Sequence, residues 1–278
     1  MIAISTDSTA DLPPDLAQKR GIRVIPLSVT LNGQVYRDGI HLTPNRLFAL
    51  IQQTQQLPTT AAPSVGEFVS FFSPIDEGIH LSISAKLSAS YQNALLAVEE
   101  IDNQRLRVLD SRNLSSGIGW LALKAADLRD QGCSLAEIEE ELRAWIPKVR
   151  TTFIPQTLEY LYKGGRCNAL QALMGSMLKI LPVIHVQSDG TLGVGEKARG
   201  KRQRALQTLL EGFERHLECI DRRRIFVTHA ACPEDAETLA MQIRQMANPE
   251  ELIVNEAGCV ISSHCGPGTI GIIYAVEC

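Results

Sequence analysis

Ser88 and Ser90 lie in "ISAKLSASYQNALLAVEEID" (83–102), where an extended run hands over to a helix. Apolar residues at 91, 94, 95, 98 and 101 recur at helical spacing and predict a helix start at about Ser88. The free N–H groups of such a start carry partial positive charge and suit a carboxylate or phosphate. Ordinary capping by Ser88, worth about 1 kcal/mol, explains the serine equally well. Thr59 and Thr60 form a second such place, ahead of "AAPS" and a short amphipathic helix. A threonine hydroxyl can donate to a carboxylate oxygen, or simply occupy a turn.

Two further segments carry charge or a titratable ring. In "YLYKGGRCNAL" the glycines end a helix and leave Lys163 and Arg166 at a junction. Arginine offers a planar fork of donors matched to carboxylate or phosphate; a solvated helix end would read the same way. His264 falls in "ISSHCGPGTIGIIY", read as a turn before a buried strand. Gly266 and Gly268 permit a sharp turn or a close approach. The imidazole could donate to an anion or act as acid or base. Finally, Lys197, Arg199, Lys201, Arg202 and Arg204 cluster in one short stretch. They read either as a solvated helix face or as a docking patch for an acidic partner.

Other chemistries lack their signatures. "GVGEKARG" does not fit GxGxxG, "RGKRQ" lacks the spacing of a phosphate loop, and neither HExxH nor GxSxG occurs. His185, His229 and His264 have no metal-ligand spacing, so no metal or cofactor is expected.

The elements that must position these groups follow from length and pattern. The 278 residues suit two domains. Hydrophobic residues make up 45% and aromatics only 5%, so aliphatic side chains must fill the interior. The net charge of −4 argues against a nucleic-acid partner. No apolar run approaches the roughly 18 residues of a membrane span. The first residues lack a basic signal region, and seven cysteines without a CxxC pair read as free thiols, so a cytoplasmic protein is expected.

Residues 1–150 alternate strands with helices, which predicts a parallel-sheet, three-layer α/β domain. Asn32-Gly33 marks a hairpin, Thr43-Pro44 a helix start, and Ser134 to Glu137 a capping box. Residues 151–278 read as a second, mixed-sheet α/β domain: an antiparallel pair around Asp189-Gly190, a helix from about 201 to 218, the strand "RRIFVTHA", a helix from about 234 to 247, and a closing strand-turn-strand.

Taken in order, "TDSTADLP", "TTAAPS", "ISAKLSASYQNA", "VLDSRNLSSGIG", "TLEYLYKGGR", "LKILPVIHVQSDGTL", "EKARGKRQRAL" and "SSHCGPGTIGI" resemble the DegV family of bacterial fatty-acid-binding proteins. The resemblance covers essentially the whole chain. It implies two α/β domains with a lipid site between them, holding one long-chain fatty acid. It implies a carrier rather than an enzyme, one that presents the carboxylate to a separate fatty acid kinase for acyl-phosphate formation. By motif position Thr60 and Ser88 would hold the carboxylate, with Arg166 and His264 close by; Arg199, Lys201 and Arg202 are candidates for partner docking. Ala61-Ala62 replace the usual small polar pair, Ala89 a glycine, Ser90 a threonine and Cys265 a threonine. Aliphatic stretches such as "LMGSMLKILPVI" (173–184) are candidate tunnel walls. The rival reading is a hydrolase or phosphotransferase acting through His264 and Arg166, which would need a nucleophile or phosphate cradle.

Overall fold

The computed structural model describes residues 1–167, 180–199 and 202–277. Three sheets organise the chain. The first is parallel, in the order β2-β1-β6-β7: β1 (Ala3–Asp7), β2 (Ile22–Ile25), β6 (Gly78–Ser82) and β7 (Leu106–Asp110). Its helices are α1 (Pro14–Lys19), α3 (Val65–Phe72), α4 (Ser90–Glu100), α5 (Ser116–Asp130) and α6 (Leu135–Trp145). A small antiparallel sheet, β4-β3-β5, sits beside it. It is built from β3 (Ser28–Leu31), β4 (Gln34–Arg37) and β5 (Thr59–Ala61), with α2 (Pro44–Thr54) between the last two. The β3–β4 turn is the Asn32-Gly33 hairpin expected from sequence.

The third sheet is mixed, in the order β10-β9-β8-β13-β11-β12. Its strands are β8 (Val149–Ile154), β9 (Ile180–Val186), β10 (Leu192–Arg199), β11 (Arg224–His229), β12 (Glu251–Glu256) and β13 (Ile270–Ala275). Helices α7 (Glu159–Gly164), α8 (Arg202–Glu214), α9 (Pro233–Ala247) and α10 (Cys259–Cys265) complete the described residues. Only β11 and β12 run parallel; the other pairings are antiparallel.

Helix α5 joins the two large sheets. It packs on β1 and β6 on one side and on β8, β11 and β13 on the other. A helix covered on both faces must be apolar nearly all round, and "GIGWLALKAA" carries one charge, Lys124, whose amine lies over the Trp145 ring. Its Trp120 is fully buried and donates its indole N–H to the Arg224 carbonyl, 3.1 Å away. One apolar core therefore runs from Ile4 and Leu81 through Ile118 to Phe153, Phe226 and Ile273.

Three expectations are corrected. The segment around His264 is a helix, α10, so the histidine rides on a last helical turn and not in a loop. The helix after Ser88 begins at Ser90; the Ser88 hydroxyl accepts from the Ser90 N–H (3.2 Å) one step outside it. Cys219 is disulfide-bonded, so the cysteines are not all free thiols.

Candidate functional site

A cavity of about 250 Å³ opens between the sheets. Thr60, Ser88, Arg166 and His264 all line it, although they lie on four distant segments. The rest of the lining is mainly apolar and includes Leu27, Ile83, Leu114, Phe153, Leu161 and Ile261. A second, smaller cavity of about 40 Å³ lies against it, sharing Leu114, Phe153, Ile261 and Cys265 in its wall.

Each polar group has a distinct support. Thr60 is held on β5 by antiparallel pairing opposite Val29 of β3, and the chain then enters α3, whose start Ser64 and Glu67 fix with a reciprocal capping box. The threonine is thus a strand residue rather than part of a helix start. Ser88 is fixed by the turn 84–88, in which the Leu87 and Ser88 N–H groups donate to the Ser84 carbonyl. Asn93 ties the two walls together by donating to the Pro63 carbonyl at 2.8 Å. Arg166 follows α7, is exposed, and donates to the Gly164 carbonyl at 2.7 Å. That places a cation at the mouth.

His264 is the most constrained member. Its Nε2 lies 2.7 Å from the Thr60 hydroxyl. Its Nδ1 is buried without a hydrogen-bond partner. A Cβ on Gly164 would come within 2.5 Å of that nitrogen, so the ring packs directly on the glycine. Burial, and secondarily the Arg166 charge, push the His264 pKa down to about 4. The imidazole is therefore neutral at pH 7, and one of its two nitrogens carries a proton.

This arrangement suits anion capture better than nucleophilic chemistry. A hydroxyl–imidazole pair can generate a nucleophile when a third group orients the ring. Here Nδ1 has no such partner, and a ring with a pKa near 4 is a weak base at neutral pH. Two hydroxyls, one of them backed by the His264 ring, beside an arginine in a largely apolar cavity instead match a carboxylate attached to a hydrocarbon. Among the described residues no group of His, Cys, Asp and Glu could hold a metal ion.

Of the sequence-predicted docking residues, the described Arg202 does not line the cavity. Arg202 donates to Asp235 (2.5 Å) and Gln156 (2.7 Å). Lys201 lies outside the described residues, and of Arg199 only the backbone is described, paired with Ile180. Most of the stretch 173–184 also lies outside them. Sequence reasoning gave no role to Asp7, Asp11, Asp38 or Asn93. The "TDSTADLP" motif was the available signal for the first two.

An α/β protein with a largely apolar cavity between its sheets and a few polar side chains in the lining defines a class of small-molecule binders. The family model described as "Uncharacterised protein, DegV family" matches residues 1–277, and the chain belongs to the DegV family. A DegV domain-containing protein of Caldanaerobacter subterraneus is 31% identical over 98% of each chain. Among solved structures, one described as showing fatty acid binding of a DegV family protein from Thermus thermophilus is 35% identical, with a TM-score of 0.92 over 99% of both chains. Another, described as DegV, a fatty acid binding protein from Bacillus subtilis, is 30% identical with a TM-score of 0.89 over 99% of both.

Proposed function

We propose that this chain binds one long-chain fatty acid in the cavity and presents its carboxylate to a separate fatty acid kinase. The observation that carries the reading is that Thr60, Ser88, Arg166 and His264, from four distant segments, line one largely apolar cavity. The fatty-acid-binding relatives from Thermus and Bacillus support the ligand class.

The energetics are consistent with such a ligand. Burying hydrocarbon yields about 0.8 kcal/mol per methylene, so some 14 methylenes give roughly 11 kcal/mol gross. A bare carboxylate carried in with them would cost several kcal/mol. Hydrogen bonds to a charged acceptor each return about 1.5–3 kcal/mol. The tail supplies affinity, and Thr60, Ser88 and His264 allow the head group inside.

In this reading the protein is a cytoplasmic carrier and not an enzyme, built as domains 1–150 and 151–278 with the lipid between them. Phosphoryl transfer to the carboxylate oxygen is the partner's chemistry. Arg166 at the mouth faces that partner, and Arg199, Lys201 and Arg202 offer basic charge for docking. Native mass spectrometry of protein expressed in bacteria tests the ligand. A retained mass matching a fatty acid supports the reading; protein that emerges empty and takes up no added fatty acid overturns it.

A further inference from the structure

The carboxylates of Asp7, Asp11 and Asp38 are buried, and hydroxyls and backbone N–H groups surround them. Asp7 closes β1. Its Oδ1 accepts from the N–H and hydroxyl of Thr9, and its Oδ2 accepts from Ser82 Oγ (3.1 Å), the Ile83 N–H (3.0 Å) and Ser90 Oγ (3.1 Å). Asp7 thereby fixes the first residue of α4, immediately after the Ser88 turn. Asp11 accepts from Ser115 Oγ (2.5 Å) and from the Gly258 N–H (2.8 Å). Asp38 accepts from Ser8 Oγ (2.8 Å) and from the Cys259 N–H (2.7 Å).

Gly258 and Cys259 are the N-cap and first residue of α10, the helix that carries His264. Two acids from the first 38 residues therefore grip the start of a helix more than 200 positions later. Gly258 shows how closely: a Cβ there would lie 3.0 Å from Asp11 Oδ1 and 3.2 Å from Asp38 Oδ1. A seven-residue helix has little stability of its own, so its anchors decide where it points. His264 sits about 8 Å along the axis from Cys259. Tilting that lever by roughly ten degrees would move the ring by more than an ångström, enough to break a hydrogen bond.

We propose that Asp11 and Asp38 are positioning residues for the head-group clamp, holding the start of α10 so that His264 meets Thr60. Asp7 does the same for the opposite wall through Ser90. Desolvating three carboxylates is expensive, and apolar packing would fill the space at lower cost. What the carboxylates add is direction: each fixes named N–H groups in place. The assignment rests on the fatty-acid reading of the cavity.

The test uses the full chain and two probes, hexadecanoic acid and hexadecan-1-ol. They share a tail and differ at the head group. Asp11→Asn and Asp38→Asn, and Gly258→Ala, which disturbs the same contacts from the other side, are compared with wild type. Each variant is expected to lose at least about tenfold in affinity for the acid while binding the alcohol within about twofold of wild type. Equal losses for both probes, or unchanged acid binding in a folded variant, overturn the assignment while leaving the fatty-acid reading standing. Wild type that binds neither probe overturns both. Should the Asn variants fail to fold, Ser115→Ala and Ser8→Ala loosen the same carboxylates without removing them. They are expected to shift the acid-to-alcohol ratio in the same direction by a smaller factor, and an unshifted ratio overturns the assignment.

Discussion

The Thr60 hydroxyl and His264 Nε2 stand 2.7 Å apart although 204 residues separate them in the chain. The imidazole is neutral, so it can donate one proton through Nε2 to the threonine oxygen, leaving the hydroxyl hydrogen free to face an incoming carboxylate. Thr60→Val keeps the shape and removes that donor. We expect it to weaken fatty acid binding about ten- to a hundredfold, the worth of one hydrogen bond to a charged group. Affinity for the corresponding alcohol should fall much less. Titration calorimetry with both ligands checks this, and equal losses would count against the donor role.

Gly164 leaves space for the His264 ring. A methyl group there would lie 2.5 Å from Nδ1, well inside contact distance. Gly164→Ala should displace the ring and lower fatty acid affinity. It should also cost about 1–3 kcal/mol of stability as an overpacked site. In a His264→Ala background the same change should be close to neutral. A double-mutant cycle in urea therefore separates a clash with the ring from a general effect on the end of α7.

His80 predicts a pH dependence of stability. The ring is fully buried among Phe68, Phe71 and Phe72, and its Nε2 has no partner. Burial pushes its pKa down to about 3 from an ordinary 6.5. The unfolded chain thus binds a proton that the fold does not. The stability at stake is fully present above pH 6.5 and is lost as pH falls toward 3, reaching on the order of 5 kcal/mol at the low end. Burial raises the carboxyl groups of Asp7, Asp11 and Asp38, which act with the opposite sign: the fold holds their protons more tightly, so acid relieves part of their cost. Replacing only the histidine isolates its share. His80→Phe should flatten the fall of the urea midpoint between pH 7 and pH 5, and a fall as steep as wild type would refute the assignment.

The parts of this architecture that local chemistry determines were legible from the sequence. The Asn32-Gly33 hairpin, the Thr43-Pro44 helix start and the Ser134–Glu137 capping box each depend on neighbours within a few residues. Helix α10 reads as a turn in the sequence for the opposite reason. Gly266 and Gly268 are strong local turn signals, whereas the anchors that stabilise the helix, Asp11 and Asp38, come from the other end of the chain. The same distance hid the purpose of "TDSTADLP". Its aspartates are read by Ser82, Ser90, Ser115 and Gly258, and no local spacing announces those partners. The convergence of Thr60, Ser88, Arg166 and His264 was expected only by resemblance, since their segments share no periodicity.

Under the proposed function, substitution of Arg166 distinguishes holding a carboxylate from displaying it. Its side chain lines the cavity, yet the residue is exposed and one of its donors is directed to the Gly164 carbonyl. An exposed charge contributes about 0–1 kcal/mol to a pairing, because water and salt screen it. Thr60, more sheltered, should contribute more despite carrying no charge. Arg166→Ala is therefore expected to weaken fatty acid binding by less than about fivefold, and the loss should shrink further in high salt. If the guanidinium serves the transfer step, the same variant should depress acyl-phosphate formation by an added kinase far more than it depresses binding. Measuring both on one preparation decides the matter: parallel losses would make Arg166 a plain ligand of the head group, whereas a large loss of transfer with near-normal binding places its work at the interface with the partner.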